Sequence, residues 1–101
     1  MSDTKNFATV KREHYKTLQL YVPIVARVHG GTHPEFLKVQ DVFKTMEAKI
    51  KEAGRKTPAL DEEFLALREI TAHYAVPSDV CESYEAVYVM LKDLDDAYHQ
   101  G

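Results

Sequence analysis

Apolar residues at Phe7, Val10, Tyr15, Leu18, Val22, Val25 and Val28 recur mostly three or four positions apart, the spacing that lines side chains along one face of an α-helix. The pattern predicts a first helix over roughly 5–29, kinked or broken at Pro23, which lacks the N–H to bond back to Gln19 and crowds that carbonyl. The run His29-Gly30-Gly31 closes it, because glycine accepts the left-handed conformation that ends a helix. Thr32-x-x-Glu35 then has the spacing of a capping box, and Pro34 suits a first helical turn. Phe36, Val39, Phe43, Met46 and Ile50 follow at helical spacing and predict a second helix over about 33–53, stopped by Gly54.

Thr57 and Pro58 read as cap and first position of a third helix. Its stripe is Leu60, Phe64, Leu67, Thr71 and Tyr74. It is expected to end near His73, since Val76 precedes Pro77 and is pushed out of the helical region. A fourth helix opens at Ser78 or Asp79, where Asp79-x-x-Glu82 repeats the capping spacing, and carries a seam of Tyr84, Val87 or Tyr88, Leu91, Leu94 and Tyr98. No segment alternates with period two long enough to argue for a strand, and no internal repeat is present. Four amphipathic helices joined by short polar links predict an all-α fold, an antiparallel up-down four-helix bundle. Its core draws on Phe7, Leu18, Val25, Phe36, Phe43, Met46, Phe64, Leu67, Tyr84, Leu91 and Leu94.

Length and composition narrow the function classes. The 101 residues fit a single domain over 1–101. With 45% apolar residues, 4 Gly and 4 Pro, low-complexity and wholly disordered classes are excluded. Lys and Arg number 13 against 16 Asp and Glu, so no basic field argues for nucleic acid. One cysteine, Cys81, and no apolar run at the start of the sequence give the expectation of a cytoplasmic protein without membrane contact.

Candidate chemistry rests mainly on five histidines, at 14, 29, 33, 73 and 99. Glu69 with His73 and Asp95 with His99 are four apart and offer either a bidentate metal clamp or a solvated ion pair near a helix C-terminus. His29 and His33 flank the glycine turn; a folded loop can join them as the start of a metal site, or His33 serves the helix entry and His29 is a capping, partly buried ring. Tyr15, Tyr84, Tyr88 and Tyr98 read as boundary residues with hydroxyls at the core edge. Cys81 falls in the first turn of the fourth helix, where backbone N–H groups favour a thiolate; its other role is a small apolar filler. No P-loop, CxxC, H-E-x-x-H or Ser-His-Asp order occurs.

Tyr21-Val22, Arg27-Val28-His29-Gly30 and His33-Pro34-Glu35-Phe36, followed by Ile70-Thr71, Tyr74, Pro77, Asp79, Cys81, Tyr84 and Tyr88, resemble the hemerythrin-like domain of the iron-sulfur cluster repair di-iron proteins. The resemblance runs over about 13–46 and 64–99. It implies a four-helix bundle with a non-haem di-iron centre that restores iron-sulfur clusters damaged by oxidative or nitrosative stress. That centre uses five histidines and two bridging glutamates, and His29 is the position that clearly survives. The first-helix histidine falls on Ala8, the second-helix pair on Ala53 and a deletion, the third-helix histidine on Thr57, and the last histidine on Gly101 with its glutamate beyond it. No counterpart of the family's N-terminal cysteine-bearing domain stands in these residues.

Side chains of alanine and glycine cannot ligate iron, and threonine does not replace imidazole or carboxylate. The expectation is a shortened relative with no cofactor, or iron if any, acting without catalysis as an interaction or regulatory module through a protein partner or self-association. The alternative is an iron- or zinc-binding bundle that uses His29 and His33 with a different ligand set. A third reading is a helical interaction protein unrelated in function.

Overall fold

The computed structural model describes residues 6–100. Among them four helices form and no strand: α1 (Phe7–His29), α2 (Glu35–Ala53), α3 (Asp61–Thr71) and α4 (Glu82–Tyr98). No helix among the described residues is long and apolar enough to cross a membrane. The chain folds as an all-α four-helix bundle in which α1 packs against α4 and α2, and α2 against α3. His14 meets Asp93 and His29 meets Cys81, so α1 and α4 run antiparallel. All eleven residues expected in the core are at most 7% exposed.

α1 starts at Asn6, whose side-chain oxygen accepts from the Thr9 N–H at 2.9 Å, one of the donors a helix start leaves unpaired. It continues through Pro23 as one helix, so no break occurs there. The loss of one backbone bond is outweighed where Val22, Val25 and Ala26 are buried on both sides. Val28, expected on the inner face, is 65% exposed. Gly30 is right-handed, with φ −60°, so the turn does not need its left-handed freedom. It needs the missing side chain: a Cβ there would collide with the Ala26 carbonyl oxygen and with Leu37. Gly54, at φ +61°, does use glycine's freedom to end α2.

Three expected helix starts are displaced. α2 begins at Glu35 behind Pro34, without a side-chain cap. Thr32 turns back to donate to the His29 carbonyl, and Glu35 is engaged elsewhere. α3 begins at Asp61 rather than at Pro58. Pro58 and Leu60 are instead buried in the approach, and the Leu60 N–H donates to the Tyr98 hydroxyl at 2.9 Å. α4 begins after Cys81 rather than at Ser78 or Asp79.

α3 is short and ends at Thr71 in three consecutive left-handed residues, Ala72, His73 and Tyr74, with φ of 52°, 61° and 65°. Each such non-glycine residue costs about 1–2 kcal/mol, and local bonds offset the cost. The Thr71 hydroxyl donates to the Leu67 carbonyl and accepts from the Tyr74 N–H, both at 2.7 Å, and the His73 N–H donates to the Arg68 carbonyl. This corner carries Glu69 and His73 off any shared helix face, so that pair does not form a clamp.

The corner also delivers Tyr74 to Asp95. That carboxylate is 1% exposed. It accepts from the Tyr74 hydroxyl at 2.7 Å, from Arg68 Nε at 2.9 Å and from Arg68 Nη2, while His99 Nδ1 lies 2.8 Å away. The expected Asp95–His99 pair therefore exists, but as part of a buried network rather than a solvated pair. A buried carboxylate is tolerated when its lone pairs are filled in this way.

Phe43→Ala and Leu91→Ala should each lower unfolding stability by about 2–5 kcal/mol in denaturant titrations; a loss below about 0.5 in both would contradict the core. Asp95→Ala leaves the Arg68 and Tyr74 donors without their acceptor and should cost on the order of 3 kcal/mol, with Asp95→Asn intermediate because its carbonyl still accepts from Tyr74.

Candidate functional site

The end of the bundle formed by the α1–α2 turn and the start of α4 gathers most of the chemistry-bearing side chains. The turn hands the chain from His29 to His33 through bonds of the Thr32 and His33 N–H groups to the His29 carbonyl, at 3.1 and 2.7 Å. The two imidazole rings stand 6.4 Å apart by centroid. Both lie edge-on to Tyr84, at 5.5 and 5.6 Å. The structure thus brings His29 and His33 together around one buried phenol.

Each histidine already has partners. His29 Nε2 is 3.1 Å from the Cys81 sulfur. His33 Nδ1 is 3.2 Å from Glu35, and its Nε2 is 3.1 and 3.2 Å from the two oxygens of Asp79. Both ring nitrogens of His33 thus face carboxylates, Glu35 on one side and Asp79 on the other. Asp79 and Glu35 spend their oxygens here, which is why neither forms the helix-capping arrangement their spacing suggests. Cys81 is exposed and sits as the residue preceding α4; it is not an apolar filler.

Behind the histidines, Tyr84 and Tyr88 are 0% and 1% exposed, deeper than boundary residues. Their hydroxyls are 3.0 Å apart, and Tyr84 also donates to Glu35 at 3.3 Å. Phe36 packs on both rings. Burial, followed by the bond to Tyr88, pushes the Tyr84 phenol well above its ordinary range, and burial raises Tyr88 as well. In the second network, burial and the bond to Asp95 raise Tyr74. On α1, burial and the neighbouring Glu47 raise Tyr15.

Among the described residues no three His, Cys, Asp or Glu side chains stand in an arrangement that would hold a metal ion. His33 in particular spends both nitrogens on carboxylates. The positions aligned with the iron ligands of the resembled family lie elsewhere. Ala8 lines a groove with Gly54 and Arg55, and Ala53 and Thr57 line the one beside it. Ala8 is 21 residues before His29 on α1, about 30 Å along the helix axis. Ala8 and Thr57 are exposed and Ala53 half-buried, and none offers a carboxylate or imidazole. Gly101 lies outside the described residues. These residues do not fit a di-iron centre.

The roles of Asp79, Glu35 and Arg68 were not legible from spacing. The partners of His33 lie 46 residues away at Asp79 and two away at Glu35, and those of Asp95 come from two elements. His33-Pro34-Glu35 and Asp79-x-Cys81 fall in separate blocks of the resemblance, about 13–46 and 64–99, and spacing within either block does not pair them.

No family model matches the chain, and no solved structure matches it. The chain is similar to the iron-sulfur cluster repair protein ScdA of Staphylococcus haemolyticus, with 28% identity over 120 aligned positions that take in 88% of this chain and 54% of the relative. It is also similar to the ScdA proteins of two strains of Staphylococcus epidermidis, at 22% identity over the same share. The chain spans about half the length of these curated relatives. The similarity relates most of the chain to iron-sulfur cluster repair proteins.

Raised phenol pKa values fix the direction of a pH effect. Above the ordinary tyrosine value of about 10, the unfolded chain releases protons that folded Tyr15, Tyr74, Tyr84 and Tyr88 retain, so the unfolded state binds fewer protons and stability falls. Their contribution should be fully present below pH about 10 and lost progressively above it. In an alkaline titration, the tyrosinate absorbance of these four should appear together with loss of helix; their ionisation near the ordinary value with the helices intact would contradict the burial.

Proposed function

We propose that this chain is a hemerythrin-like helical module of the iron-sulfur cluster repair type that has lost the di-iron ligand set and serves the stress-linked repair system through protein contacts rather than catalysis. The observation that carries the reading is the identity of the residues at the ligand positions, Ala8, Ala53 and Thr57, which supply neither imidazole nor carboxylate. The similarity to ScdA proteins over 88% of the chain supports the family side of the reading, and the four-helix architecture is compatible with it. A bundle with a continuous apolar core needs no metal to close it, so loss of the ligands does not entail loss of the fold.

A second reading is favoured by one contact. The His29 ring meets the Cys81 thiol at 3.1 Å, and imidazole with thiolate is a donor pair suited to zinc or iron. Such a site would need further ligands, and His33 and Asp79 could join it only by giving up their bond to each other.

Elemental analysis of chain purified without chelators, with thermal unfolding in added Fe(II), Zn(II) and Mn(II), separates the readings. The module reading expects no bound metal and an unchanged melting temperature. A ligand present at 100 times its Kd and specific for the folded state would stabilise by about 2.7 kcal/mol. One zinc per chain, abolished by His29→Ala or Cys81→Ser, would establish the second reading. Two irons per chain would overturn the first.

A further inference from the structure

The opposite end of the bundle carries a feature that neither reading uses. The N-terminal half of α1 and the α2–α3 link enclose an open groove of about 550 Å³. Lys11, Arg12, Lys16 and Arg55 line it around a floor that includes Ala8 and Tyr15, and among the described residues no carboxylate lines it. In a chain of net charge −3, four cations on one concave surface are a concentration of charge against the overall balance. Among the described residues, no carboxylate is within ion-pair distance of any of the four. Arg12, Lys16 and Arg55 are exposed, so their charges face outward. Glu47, which lies on the α2 side of Tyr15, is instead engaged by Gln19 at 3.0 Å.

The placement of the cations selects among anions. Lys11, Arg12 and Lys16 are spread over one and a half turns of α1, about 7 Å along its axis, and Arg55 faces them from the link. Long side chains this dispersed do not converge on one phosphate. They suit several carboxylates in series, since an extended chain advances about 3.3 Å per residue and presents acidic side chains at comparable intervals. The apolar floor at Ala8 and the Tyr15 ring gives such a chain one place to seat an apolar side chain.

We propose that this groove is the docking site for an acidic peptide segment of a partner protein, with carboxylates on Lys11, Arg12, Lys16 and Arg55 and one apolar side chain against Ala8 and Tyr15. The proposal supplies the partner chemistry for the interaction role above and rests on that reading to that extent, but its test reads peptide binding, whereas the reading above stands or falls on metal content.

The probe is a fluorescein-labelled heptapeptide of Asp and Glu around a central Leu, titrated with the full chain and followed by fluorescence anisotropy. Binding with a Kd on the order of tens of micromolar, weakening as salt rises, is the expected result. Arg12→Glu combined with Arg55→Glu should weaken it about tenfold or more. Lys38→Glu, an exposed cation at the far end of α2, should leave it unchanged. Circular dichroism of each variant checks that the helices remain. Replacing the central Leu by Ser should weaken binding several-fold through loss of the apolar contact. No binding at about 1 mM chain, equal weakening by Lys38→Glu, or displacement by millimolar inorganic phosphate as effective as by unlabelled peptide would each overturn the proposal, the last in favour of a small-anion site.

Discussion

The buried carboxylate of Asp95 is the interaction on which the arrangement of α3 depends. α3 has only three turns, and its partner in the bundle is chiefly α2. What holds its C-terminal end against α4 is the fork of Arg68 on Asp95, joined by Tyr74 from beyond the helix end. The left-handed run from Ala72 to Tyr74 turns the chain at the end of α3, and the Tyr74 hydroxyl at the end of that run bonds the carboxylate. Backbone strain at the corner and polar burial at Asp95 are thus two sides of one compensation, because an isolated buried charge is far costlier than one ringed by donors. The start of α3 is tied to the same helix by Tyr98, which accepts from the Leu60 N–H and packs against Phe64.

The bundle is chemically divided along its length. One end holds imidazole, thiol, carboxylate and phenol groups bonded to one another around Tyr84. The other holds the groove lined by cations and by Ala8, with Ala53 and Thr57 close by. Ala8, Ala53 and Thr57 therefore lie far from His29. His29 is tied into this chain three ways: it faces Cys81, packs on Tyr84, and its carbonyl anchors the turn into α2.

Helix existence and the core were legible because burial is periodic. Phe36 to Ile50 and Tyr84 to Leu94 repeat at helical spacing, and the seam they form has to be covered. Helix boundaries were less legible. Thr32-x-x-Glu35 and Asp79-x-x-Glu82 both have capping spacing, yet Glu35 and Asp79 face His33 instead. A capping carboxylate reaches a backbone N–H a few residues away, and the capping spacing does not reveal a ring that competes for it, from two residues away for Glu35 and from a distant turn for Asp79. Thr57-Pro58 failed for a related reason: Pro58 and Leu60 are more valuable buried against the bundle than wound into a first turn.

The sequence by itself determined the number of helices, their inner faces and the acidic balance of the chain, all of which depend on residue type and near-neighbour spacing. Only the tertiary structure decided which side chains meet. The encounters of His29 with Cys81, His33 with Asp79, and Asp95 with Arg68 and Tyr74 each close a loop of between 21 and 52 residues. Such contacts are set by how helices cross and turns direct the chain, and periodicity along one helix carries no information about them. The cationic groove belongs to the same class, since Arg55 reaches the lysines of α1 only after α1 and α2 have packed.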